Sequence, residues 1–316
     1  MTATRNEWFH ERGNLARDGW ESVVDGSLPG WAHTGIRVAK LSGEGLTLPA
    51  GDIERIVVPL AGGVTVELDG AAAAAWDGAS SVELTGRASV FDGPTDVLYV
   101  GAGGGFTVRG TARIAIAEAP TGQPRPTRYI PAADVPVEVR GAGRDTRQVH
   151  NFGTPGALDA AALIVCEVIT PGGNWSSHPA HKHDEHIAGH ESRLEEIYYF
   201  EAAPNREFVA AGVVPDDGVD AFGSFVTYSS RAGEIDTHAV VRTGDIALVP
   251  YGYHGPAMAA PEYDLYYLNV MAGPDPERVW LISDDPRQAW LRDTWPAQGP
   301  DPRLPYAAAP IEGDER

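Results

Sequence analysis

The chain has one cysteine, Cys166, among 316 residues. An intrachain disulfide is therefore excluded, and with it a small secreted scaffold stapled by cross-links. Cys166 lies within ALIVCEVIT, an apolar run that offers no neighbouring histidine, and reads as a core thiol rather than a nucleophile. Lysine is almost as scarce. Lys40 and Lys182 are the two in the chain, so Schiff-base chemistry would have to run through one of them. Positive charge is short overall: 24 Lys and Arg against 44 Asp and Glu leave a formal net charge of -20. That field repels nucleic acid and anionic lipid, and leaves small molecules as the partner class. An anionic substrate would need local positive charge from arginine or a metal ion. No apolar run approaches the length of a membrane span, and the opening stretch MTATRNEWFHERGNLARDGW lacks the apolar segment of a secretion signal. These absences lead us to expect a cytoplasmic protein without membrane contact.

Helical signal is also thin. The best candidate is DPRQAWLRDTW at 285–295, with Asp285 placed to cap it, while the alanine run at 71–75 lacks flanking periodicity and reads as loop. Turn residues are plentiful instead, with 37 glycines and 25 prolines separating short, apolar, often alternating segments. In the first half these predict strands at 36–41, 55–60, 64–69, 81–86, 96–100, 105–110 and 113–119. In the second half they predict strands at 162–170, 196–201, 222–228, 237–241, 245–250, 264–270 and 279–283. The fold class is all-β, and each half has strands enough to close a barrel. The expected organisation is a first barrel over 1–119, a Pro- and Arg-rich crossover at 120–146, a second barrel over 147–296 and an extended tail at 297–316. Many sheet edges suit a homo-oligomer.

The first half is nearly devoid of histidine. Eight of the ten histidines lie at or after position 150, and His10 and His33 precede the main strands of the first half. A histidine metal site therefore belongs to the second barrel. Its densest stretch is GGNWSSHPAHKHDEHIAGHESRLEEIYYFE at 172–201. On an extended strand, residues two apart share a face, so His181 and His183 can reach one ion while Lys182 points away. Glu196 opens the next strand, and alternation separates it from Glu195. A fourth ligand, His254, follows a buried strand in GDIALVPYGYHGP. Three imidazoles and a carboxylate suit one divalent transition metal ion, Zn, Mn, Fe, Co or Ni, with positions left open for substrate. His178, His186 and His190 read as solvated surface.

With these motifs on the page, the sequence resembles the cupins, whose first motif supplies two histidines and a glutamate and whose second supplies a histidine after a Pro-Gly turn. Within them it is most similar to the bicupin family of 5-deoxy-glucuronate isomerases of myo-inositol catabolism. The resembling segments are TGRASVFDGPTDVLYV, VEVRGAGRDTRQVHNFG, EVITPGGNWSSHPAHKHDE, LEEIYYF, GDIALVPYGYHGP and YDLYYLNVMAGP, which together span most of the chain. The resemblance implies two fused cupin barrels, each a double-stranded β-helix, with a degenerate N-terminal barrel and the metal in the C-terminal one. It also implies conversion of 5-deoxy-D-glucuronate into 2-deoxy-5-keto-D-gluconate, an aldose-ketose isomerisation of a sugar acid.

Such a reaction needs a proton moved between neighbouring carbons, and spacing does not single out the base. The catalytic candidates are Tyr253, Tyr267 and Asp184, with Tyr198, Tyr266 and Glu195 behind them. For the substrate carboxylate, Arg193 and Arg231 are candidates because a guanidinium pairs bidentately, and Tyr251 stands beside the fourth ligand. Three other readings fit the ligand set: an isomerase of a pectin-derived ketouronate, a cupin dioxygenase, and a non-catalytic sugar-binding cupin.

Overall fold

The computed structural model describes residues 7–76, 80–215 and 219–307. Its strands pair antiparallel into three sheets, one of nine strands in the first half and two, of seven and six, in the second. No helix among the described residues is long and apolar enough to cross a membrane.

The first half is organised by one long strand, Ile53–Leu68, which covers both strands expected at 55–60 and 64–69. Gly62 and Gly63 bend this strand rather than end it. Gly62 takes φ +80, and a Cβ on Gly63 would come within 2.7 Å of the Thr85 carbonyl, so the pair allows a neighbouring strand to pass closely. Before the bend the strand pairs with Val97–Val100 and Arg113–Pro120; after it, with Ser81–Arg87 and Phe106–Gly110. Val57, Val66, Leu84, Leu98, Phe106 and Ile114 fill the space enclosed. Among the described residues, no candidate metal-holding group of His, Cys, Asp and Glu side chains lies in the first half.

In the second half, the seven-stranded sheet runs Phe9–His10, Ile246–Val249, Glu195–Pro204, Tyr263–Ala272, Ile164–Thr170, Arg147–Gly153, Val137–Arg140. The six-stranded sheet faces it and is built on Asp236–Val241, Gly223–Tyr228, Tyr253–Ala259, His181–Lys182 and Ser283–Asp284, with Trp175–Ser176 added beside Tyr253–Ala259. The central strands of the larger sheet are buried on both faces, which is why EEIYYFEAA and LYYLNVMA read as nearly continuous apolar runs. Alternation sorts their side chains. Tyr198, Phe200, Tyr267 and Met271 point between the two sheets with Phe225 and Cys166, whose thiol is pushed up to about 12 by burial. Ile197, Tyr199, Tyr266, Leu268 and Val270 point the other way, onto Ile56, Val58 and Tyr99 of the first half.

Three local expectations are corrected. The alanine run is a short helix, Gly70–Ala74, because the Asp69 carboxylate caps it by accepting from the Ala72 N–H at 2.8 Å. The segment expected to be helical from Asp285 is instead a 3-10 helix over Ala289–Ala297; the Asp285 carboxylate does accept the Arg287 N–H at 2.8 Å and is also bonded by the Tyr228 hydroxyl and the Arg287 side chain. Of the strand expected at 279–283, Ser283 alone lies in a strand, Ser283–Asp284, paired with His181–Lys182. The expected barrel boundaries stay a proposal, and hydrogen bonding crosses them. Phe9–His10 joins the second-half sheet, Arg128–Ile130 pairs with Val97–Val100, and Val137–Arg140 pairs with Arg147–Gly153. In the tail, Tyr306 is buried, and its N–H and carbonyl bond to the Gln148 amide. Residues 308–316 of that tail lie outside the described residues.

Candidate metal centre

Three strands and a loop bring the four expected ligands together. His181 pairs in register with His254 across the six-stranded sheet, and their ring centroids are 4.6 Å apart. His183 leaves the same short strand two residues on, its ring 4.7 Å from that of His254. Glu196 enters from the opposite sheet, between Val249 and Met271. Donor atoms of His183, Glu196 and His254 all lie within 4.8 Å of one another, and all three residues are buried. His181 is the more peripheral member, with 6.3 Å between its ring and that of His183. Glu195, on the other face of its strand, accepts N–H bonds from Ala32, His33 and Thr34 of the first half.

The hydrogen bonding around these rings prepares them for a cation. Nδ1 of His183 donates to the Leu194 carbonyl at 3.0 Å, that of His254 to Gly252 at 3.2 Å, and that of His181 to Pro179 at 3.4 Å. Each ring is thereby left with an Nε2 lone pair, the tautomer a metal ligand needs, and those of His183 and His254 are turned toward Glu196. Nε2 of His183 then lies 2.9 Å from Glu196 Oε2, and two acceptors at that distance require a proton or a cation between them. His254 Nε2 is 3.0 Å from the same oxygen without the alignment of a hydrogen bond, and this buried nitrogen has no hydrogen-bond partner among the described residues. A buried polar atom left in this way needs a reason, and a shared metal ion supplies one. Burial alone would raise the Glu196 carboxyl, but the imidazoles of His183 and His254 outweigh it and hold the group well below the usual carboxylate range. Burial, reinforced by repulsion from the other two imidazoles, pushes His181 well below its ordinary value and keeps it neutral. An ionised carboxylate and a neutral imidazole are the forms that bind metal. The group can hold a metal ion.

Lys182 points away, as strand alternation requires. Its ammonium is ringed by Asp184 at 2.6 Å, Glu185 at 2.7 Å and Glu191 at 2.8 Å, so that acidic cluster already holds a cation. Asp184 also accepts from the Gly252 N–H at 2.8 Å and from the Ser230 hydroxyl, tying the His183 loop to the turn before His254.

His181 and Glu196 open onto a cavity of about 670 Å³ that is also lined by Ser177, Tyr198, Tyr267, Asn269, Trp280 and three arginines, Arg140, Arg147 and Arg292. Tyr198 and Tyr267 share the Ser177 hydroxyl, each at 3.1 Å. Burial raises both phenols, so they remain protonated at neutral pH. Of the catalytic candidates, Tyr267 and Tyr198 line the cavity. Asp184 is engaged by Lys182, and Tyr253 stacks on Tyr228 with centroids 5.3 Å apart. Tyr266 faces the first half, where its hydroxyl donates to Glu167. The substrate-binding candidates are not in the cavity wall: Arg193 is exposed and bound to Asp275, Arg231 is exposed, and Tyr251 packs over Gly233. Of the histidines read as surface, His178 binds Asp145 and His186 binds Asp275, while exposed His190 also lines the cavity. The arginines that do line it were missed because two of them flank a glycine turn in the presumed crossover. Arg140 and Arg147 are directly opposite partners in that hairpin, and the spacing Arg-Gly-Ala-Gly-Arg-Asp-Thr-Arg is the signal that could have found them.

One barrel filled with apolar side chains and fused to another that closes around a histidine-carboxylate cluster defines a bicupin with a candidate metal centre in its second barrel. The chain belongs to the KduI/IolB family, whose model matches residues 8–291. It is 37% identical over 291 residues to a 5-deoxy-glucuronate isomerase of Geobacillus kaustophilus, covering 90% of this chain and 93% of that one. It is 40% identical over 208 residues to the 5-deoxy-glucuronate isomerase of Shouchella clausii, covering 65% of this chain and 70% of that one. Among solved structures, an IolB-like protein from Salmonella typhimurium matches with a TM-score of 0.76 and 31% identity, over 90% of this chain and 99% of that one. Oxalate decarboxylase from Lactobacillus farciminis matches in fold at a TM-score of 0.56 and 11% identity, over 89% of each chain.

Proposed function

We propose that this protein is a metal-dependent aldose-ketose isomerase that converts 5-deoxy-D-glucuronate into 2-deoxy-5-keto-D-gluconate. The substrate identity rests on the named relatives. The observation that carries the chemistry is the convergence of inward-facing imidazole nitrogens and the Glu196 carboxylate on a cavity that also bears arginines. His181, His183, Glu196 and His254 would hold one divalent transition metal ion, which supplies Lewis-acid stabilisation of negative charge developing on neighbouring substrate oxygens. The reaction moves one proton from the hydroxyl-bearing carbon to the carbonyl carbon and a second from that hydroxyl to the former carbonyl oxygen, and consumes no co-reactant. Tyr198 and Tyr267, held protonated, suit donation to substrate oxygen rather than proton abstraction. Ser177 fixes their hydroxyls, and Trp280 and Ile282 supply apolar wall.

The test is a proton NMR time course with 5-deoxy-glucuronate before and after chelation. Turnover that stops on chelation and returns with a divalent ion is expected, while His183→Ala and His254→Ala should retain the fold and lose both metal and activity. Turnover by metal-free protein would overturn the metal assignment. Oxygen uptake would indicate a dioxygenase, preference for a pectin-derived ketouronate the sister isomerase, and binding without turnover a sugar-binding cupin.

A further inference from the structure

The cavity holds three guanidinium groups, and they are not equivalent. Arg292 forms a bidentate pair with Asp284, its Nη2 2.7 Å from one carboxylate oxygen and its Nε against the other. Arg140 does the same with Glu138, at 3.2 and 2.7 Å. Arg147 has no carboxylate partner among the described residues. It is 6% exposed, its one hydrogen bond runs from Nη1 to the Asp145 carbonyl at 3.1 Å, and its guanidinium lies 5.8 Å from the Trp295 ring. The Asp145 carboxylate is not available to it, being taken by His178 at 2.8 Å and the Trp295 indole at 3.2 Å.

This arrangement is costly by itself. A buried cation without a counter-ion is strongly disfavoured. Burial, together with the charges of Arg140 and Arg292, pulls Arg147 down to about 10. Arg140 and Arg147 are also direct cross-strand partners, a position where like charges repel. An anion in the cavity would remove both penalties. The free fork of a guanidinium fits a carboxylate, whose two oxygens accept parallel N–H bonds.

We propose that Arg147 receives the carboxylate of the substrate and sets the preference of the site for a sugar acid over a neutral sugar. Arg140 and Arg292, already neutralised, frame it and contribute less. This assignment rests on the isomerase reading for the identity of the substrate, but not for the anion receptor itself.

Two measurements separate these claims. Wild type, Arg147→Gln and Arg147→Lys, each checked for unchanged metal content and circular dichroism, are assayed with 5-deoxy-glucuronate and with 5-deoxy-glucose, in which a hydroxymethyl replaces the carboxylate. Arg147→Gln should lose about a hundredfold in kcat/KM for the acid, the scale of a buried charged hydrogen-bonded pair. It should change little for the neutral sugar, and Arg147→Lys should recover part of the loss. Independently of turnover, calorimetric titration compares D-gluconate with D-glucitol. Wild type should favour the acid and Arg147→Gln should not. A retained preference for the acid in Arg147→Gln overturns the proposal. Loss of that preference, in a wild type that turns over no uronate, upholds the anion receptor and rejects the isomerase reading instead.

Discussion

At the scale of single residues, Lys182 shows how a side chain outside the metal group can govern it. Its ammonium, 9% exposed, offsets part of the charge of three carboxylates, one of which, Asp184, also holds the turn before His254. Lys182→Met leaves that charge uncompensated and frees the loop that carries His183. Titration with a chelator should show metal affinity lowered by about ten- to a hundredfold, as for loss of a supporting contact to a ligand. Thermal unfolding should show a loss of stability as well. Unchanged affinity would mean that the loop is held by its backbone alone. The four ligand candidates were legible because histidine spacing and strand alternation are local properties of sequence. Arg147 was not, since what distinguishes it is burial in the cavity wall without a carboxylate partner among the described residues, whereas Arg193 is exposed and paired with Asp275 and Arg231 is exposed; only the fold determines that.

At the scale of elements, the strand Tyr253–Ala259 carries His254 through a glycine that sequence alone does not explain. Gly255 takes φ +93, and a Cβ there would lie 1.8 Å from the Ser177 carbonyl. Gly255→Ala therefore costs about 1–2 kcal/mol for the backbone alone. It must also displace Ser177, the residue to which the Tyr198 and Tyr267 hydroxyls bond. We expect a lower Tm and a fall in kcat together with weaker metal binding, measured by calorimetry and by assay across a metal titration; full activity at wild-type metal affinity would contradict this. Strands of the barrel were readable where one or both faces are buried, because the apolar pattern then persists. They were not readable where no face is buried, as at Val137–Arg140, whose side chains are mostly exposed. Nor did the 279–283 run become a strand: Trp280 and Ile282 are apolar because they wall the cavity.

At the scale of the whole molecule, the two halves share a continuous apolar core, and a buried charge cluster lies beside it. Arg87 of the first half grips Glu167 of the second at 2.7 and 2.6 Å, and Glu167 also accepts from Tyr266 at 2.7 Å and contacts His150 at 2.5 Å. Such a join predicts one cooperative unfolding transition in calorimetry rather than two. Arg87→Ala, which strands a buried carboxylate, should cost about 3–5 kcal/mol. Burial would raise Glu167, but the charge of Arg87 outweighs it and holds the carboxyl at about 2. The unfolded value is about 4.3, so this stabilisation is complete above that pH and is lost as pH falls through about 4 toward about 2. Acid titration of wild type against Arg87→Ala should show the gap between them closing over that window. Phe9–His10 completes the edge of the second-half sheet against Ile246–Val249. During synthesis the first of these segments leaves the ribosome long before the second exists. The second barrel therefore cannot be finished one half at a time, and a fragment beginning at residue 147 would expose a bare strand edge open to aggregation.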